Sequence, residues 1–99
     1  MTVCHHCAMI QSVARRLVIH GRVQGVFFRD SLREEAVRQG VAGWARNCED
    51  GTVEALLQGD ADAVSRVERF CEQGPPRAEV VRVEASGTQP QDLTGFEIR

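Results

Sequence analysis

The sequence predicts an α+β fold of the ferredoxin-like kind. It is a βαββαβ two-layer sandwich in which two helices cover one face of an antiparallel sheet, with a short extra strand at the C-terminus. Three observations predict it. Apolar residues alternate with a period of two in several short segments, they recur with helical spacing in two longer ones, and the order is strand, helix, strand, strand, helix, strand. Ninety-nine residues, 42% of them apolar, suffice for one domain with a modest core.

Each element has its own local reason. Arg15 to His20 alternates as a strand, with Leu17 and Ile19 on one face, and Gly21 closes it. A loop, Gly21-Arg22-Val23-Gln24-Gly25-Val26-Phe27-Phe28-Arg29, leads into a helix from about Phe28 to Gln39. There Phe28, Leu32 and Ala36 recur every fourth position, and Gly40 supplies a left-handed stop. Val41 to Asn47 and Thr52 to Gln58 form a hairpin around the tight turn Glu49-Asp50-Gly51. Asp60 caps a second helix whose apolar stripe is Val64, Val67, Phe70 and Cys71, and Gly74-Pro75-Pro76 ends it. Glu79 to Ala85 is a strand with Val81, Val83 and Ala85 alternating, and Phe96 to Arg99 makes the last short strand. Residues 15–99 are thus expected to form the domain and residues 1–14 a disordered N-terminal extension.

The topology brings two segments together. A right-handed crossover through the first helix makes the first two strands parallel, and the third enters between them, antiparallel to both. The glycine loop and Asn47 then share one sheet edge, about 10 Å apart at the backbone.

The loop is an anion cradle in residue chemistry. Its glycines permit sharp turns, and the following helix has no Ser, Thr or Asp cap, so its first amides and positive dipole end want an anion. A phosphoryl group is expected on the amides of Gln24, Gly25, Val26, Phe27 and Phe28, with the Arg29 guanidinium reaching in. The Asn47 carboxamide both donates and accepts, so it can orient a water, yet it is too weak a base to deprotonate one strongly. Such a site suits a leaving group that departs unaided, and the carboxylate of an acyl phosphate is one. No metal, cofactor, general acid or covalent nucleophile is then required.

The loop, together with Gly43-Trp44-Ala45-Arg46-Asn47 and Asp50-Gly51-Thr52-Val53-Glu54, closely resembles the acylphosphatase family. The similarity runs from about Arg16 to Arg99. It implies that the loop and Arg29 bind the substrate phosphate and that Asn47 positions the attacking water, with Arg29 and Asn47 as the catalytic pair. It also implies metal-independent hydrolysis of acyl phosphates to a carboxylate and inorganic phosphate. Ala45 stands where the family often has valine, a change in packing. Asp30, next to Arg29, is expected to point to solvent, because neighbouring helical positions diverge by about 100°.

Other readings compete with this one. The same fold could serve as a non-catalytic regulatory module that binds a phosphate-bearing metabolite. An RNA-recognition domain shares the element order but needs exposed aromatics on its central strands, and Leu17 to His20 and Val53 to Leu57 hold none. Twelve basic against fourteen acidic residues, a net charge of −2, likewise disfavour nucleic acid. The expected ligands are therefore a small acyl phosphate and phosphate or sulfate ions.

Trp44 falls on the strand face opposite Asn47 and reads as packing, and His20 as an ordinary strand residue. Cys4-His5-His6-Cys7 crowds four potential ligands into four residues, which strains a tetrahedral zinc site, so no metal is expected there. Met1 to Val13 has no apolar run long enough for a signal peptide or membrane span, and the four cysteines are too unevenly spaced for a disulfide framework. A cytoplasmic monomer is expected.

Overall fold

The computed structural model describes residues 12–99 of the chain, so the Cys4-His5-His6-Cys7 cluster lies outside it. The elements are β1 (Ser12–Arg22), α1 (Phe28–Gln39), β2 (Ala42–Asn47), β3 (Val53–Asp60), α2 (Ala61–Gln73), β4 (Glu79–Gly87) and β5 (Phe96–Ile98). Every element the periodicity marks is present. β1 starts at Ser12, earlier than the alternation shows, because Ser12 and Val13 pair with Asp60 and Gly59 of β3. Tertiary pairing extends a strand past its own apolar signal.

The strand order is β4-β1-β3-β2-β5. β3 lies antiparallel between β1 and β2, while β5 pairs parallel to β2 at the edge and makes the sheet mixed. Both helices bury their stripes on one face of this sheet. Phe28, Leu32 and Ala36 of α1 and Ala63, Val64, Val67 and Cys71 of α2 join Leu17, Ile19, Ala45, Val53, Ala55 and Leu57 in one core. Strand residues of the opposite parity, Arg16, Arg46, Glu54 and Trp44, lie on the other face. Among the described residues, no helix is long and apolar enough to cross a membrane.

The ends follow their predicted chemistry. Gly40 is left-handed (φ 74°), and the Gly40 and Val41 amides donate to the Val37 and Ala36 carbonyls, a Schellman stop. Asp60 Oδ2 accepts from the amides of Asp62 and Ala63 at 3.1 and 3.3 Å.

β4 departs from the expected alternation. Its register against β1 slips between His20 and Gly21, leaving Val81 without a partner in the ladder. Val81 is therefore 74% exposed, and Val80 and Val83 pack against the core instead. Ala85 is exposed as well. Gly21 is required at this bulge, since a Cβ there would sit 2.1 Å from the Glu79 carbonyl oxygen.

Candidate active site

The loop between β1 and α1 is held by alternate side chains. Val23, Val26 and Phe28 are buried at 1%, 6% and 1% exposure and plug the core, while Gly25 and Phe27 face outward. The backbone alternates in hand with them. Gly25 (φ 76°) and Phe27 (φ 61°) are left-handed, whereas Val26 and Phe28 between and after them are not. Such alternation curls successive N–H groups inward into a nest, a concavity that receives an anion. No acceptor among the described residues takes the amides of Gln24 to Phe28, and no side chain caps α1.

Arg29 and Asn47 come together beside the nest. Val23, Gly25, Phe27, Phe28, Arg29, Asp30 and Asn47 line one cleft of about 240 Å³. Register explains the meeting, because Val53 of β3 pairs with Ile19 of β1 on one side and with Asn47 of β2 on the other. The chain leaves β1 for the nest just beyond that row. Asn47 is exposed at the end of β2, and its side chain has no hydrogen-bond partner among the described residues.

Asp30 is exposed, as expected, and its carboxylate lies 3.6 Å from Arg33 one turn on, while the residue also borders the cleft. Trp44 is buried on the opposite sheet face, as its parity requires, and His20 Nε2 faces Glu84 there at 3.1 Å.

Two contacts were not visible in the residue pattern. The Gln24 side chain, rather than only its amide, takes part in the site: Nε2 donates to the main-chain oxygens of Cys48 at 2.8 Å and Thr52 at 3.0 Å. Arg29 Nη1 donates to the main-chain oxygen of Arg99 at 3.3 Å. The second follows from β5 lying parallel to β2, which brings Arg99 to the same sheet edge as Asn47; the expected antiparallel sheet did not place it there.

A family model described as Acylphosphatase matches residues 15–98. The chain belongs to the acylphosphatase family. A curated acylphosphatase from Rubrobacter xylanophilus is 52% identical over 85 residues, which are 85% of this chain and 77% of the relative. One from Acidovorax sp. (strain JS42) is 51% identical over 88 residues, 89% of this chain and 91% of its own length. The solved structure of an acylphosphatase from Coxiella burnetii superposes with a TM-score of 0.87 at 30% identity, covering 100% of both chains.

In this family member the cleft rests on a polar frame. The turn after Asn47 closes through Cys48 N–H to the Thr52 oxygen (2.9 Å) and Gly51 N–H to the Cys48 oxygen (3.2 Å). Asp50 Oδ1 accepts from the Thr52 hydroxyl and amide at 2.6 and 3.0 Å, and these bonds hold the Asp50 carboxyl below its ordinary range. On the helix-free face Glu54, 5% exposed, bridges Arg16 of β1 and Arg46 of β2. Burial raises the Glu54 carboxyl, but hydrogen bonds from Arg46 and Arg16 together with their charges outweigh it and the net shift is downward. The frame ties the three central strands together below the cleft.

Proposed function

We propose that this acylphosphatase-family protein hydrolyses acyl phosphates in the β1–α1 cleft by a mechanism that needs no metal ion. The phosphoryl oxygens sit in the nest formed by the amides of Gln24, Gly25, Val26, Phe27 and Phe28, where the α1 dipole and the Arg29 guanidinium match their charge. Asn47 accepts a hydrogen bond from a water and orients it toward phosphorus. Water oxygen bonds to phosphorus as the bond to the acyl oxygen breaks, the bonding pair leaves with the carboxylate, and the water's proton passes to the phosphate or to solvent. Carboxylate is a weak base, so its departure needs no general acid.

The observation that carries this reading is the shared cleft of Arg29, Asn47 and the nest, whose amides have no partner among the described residues. Residues of one chain complete it, so a monomer suffices, and residues 15–99 are the domain we assign to the activity. The described cysteines, Cys48 and Cys71, are free thiols, in keeping with a reducing, cytoplasmic setting. The test is hydrolysis of benzoyl phosphate and acetyl phosphate by the purified protein. Turnover undiminished by a chelator is expected. Tight phosphate binding without turnover would make the protein a regulatory module instead.

A further inference from the structure

We infer that the Gln24 side chain is a positioning residue that sets the Asn47 carboxamide against the phosphate nest. This rests on the reading of the cleft given above. Gln24 belongs to the phosphate loop by its main chain, but its side chain crosses to the other half of the site. A carboxamide nitrogen carries two hydrogens. Both are used here, on the main-chain oxygens of Cys48 at 2.8 Å and Thr52 at 3.0 Å.

Those two oxygens are the atoms that close the turn after Asn47. The Cys48 oxygen also receives the Gly51 amide, and the Thr52 oxygen receives the Cys48 amide. Cys48 directly follows Asn47 in the chain. Asn47 itself has no side-chain tether among the described residues, so its placement depends on its main chain. That main chain is fixed on one side by the pairing with Val53 and on the other by the Gln24 staple.

No other hydrogen bond among the described residues links the segment Gln24 to Phe28 to this turn. Gln24 is thus the direct polar tie between the phosphate's seat and the group that orients the water. Attack on phosphorus is sensitive to such spacing, because displacement of a reacting group by about 1 Å costs on the order of 100-fold in rate.

The role predicts a division between turnover and binding. Gln24→Met keeps the length of the side chain and the main-chain amide but removes both donors. Its kcat for benzoyl phosphate is expected to fall about 10- to 100-fold. Its Kd for inorganic phosphate, measured by calorimetry, should stay within about threefold of the parent, since the nest amides remain. Gln24→Ala serves as a second variant, and circular dichroism and the thermal midpoint establish that each is folded.

A kcat within about twofold of the parent in a folded variant overturns the proposal, as does an equal fall in kcat and phosphate affinity, which marks general loosening of the loop. A direct measurement on the unaltered protein accompanies them. The Gln24 carboxamide protons should exchange with solvent far more slowly than those of free glutamine, and exchange at the free rate refutes the staple. Failure of the underlying reading shows differently, as absent hydrolysis by the parent protein or full turnover in Asn47→Ala.

Discussion

Arg29 and Arg99, seventy positions apart in sequence, meet in a hydrogen bond from the Arg29 guanidinium to the Arg99 main-chain oxygen at 3.3 Å. Arg99 is itself held by its amide, which donates to the Ala45 oxygen at 2.8 Å, and by its guanidinium, 4.9 Å from the centre of the Trp44 ring. In the mechanism proposed above, this buttress aims Arg29 before any ligand arrives. Deleting Arg99 is expected to weaken binding of inorganic phosphate about tenfold, equivalent to about 1.4 kcal/mol. Calorimetric titration checks this, with Trp44→Leu giving a smaller loss because it removes the stack and keeps the main-chain oxygen.

Glu54 makes stability depend on pH. Its folded carboxyl ionises more readily than in the unfolded chain, so the stabilisation is complete above the ordinary carboxylate range and is lost as pH falls through the lowered folded value. Glu54→Gln should lower unfolding free energy at pH 7 by about 1–3 kcal/mol, toward the lower end because Arg16 and Arg46 are half exposed. Urea midpoints of parent and variant should draw together as pH falls below the ordinary carboxylate range. A constant gap from pH 7 to pH 3 would show that the charge contributes nothing.

Gly43 is where a single methyl should do most damage. A Cβ there would lie 1.8 Å from the Leu56 oxygen, at a φ of 155°. Gly43→Ala must push β2 off β3 and is expected to cost at least about 3 kcal/mol. Gly87 has open space around it, so Gly87→Ala should remain within about 0.5 kcal/mol of the parent. Chemical denaturation of the two variants compares them directly.

Phe27 bears strain at the cleft. It is left-handed without being glycine, and the residue is 67% exposed, so little packing offsets the conformation. Phe27→Gly should therefore raise the urea midpoint, by up to about 1 kcal/mol of unfolding free energy. A lowered midpoint would mean that the ring packs more than its exposure indicates.

The architecture was legible because most segments state their own period. Leu17 and Ile19, the Phe28-Leu32-Ala36 stripe and the Asp60 cap each carry local signals, and the handedness of the crossover places Asn47 beside the glycine loop. What the residues did not show arises between segments. Val81 turns outward because of a bulge set by the close approach of Gly21 to β4, a register effect that alternation within β4 cannot report. Gln24 and Arg99 act through main-chain oxygens, which no side-chain pattern encodes.

The most direct test of the account is to compare Arg29→Ala and Asn47→Ala in turnover of benzoyl phosphate and in affinity for inorganic phosphate. Arg29→Ala is expected to abolish both. Asn47→Ala is expected to abolish turnover while phosphate affinity stays close to that of the parent. Full hydrolytic activity in Asn47→Ala would contradict the assignment of the water to that residue.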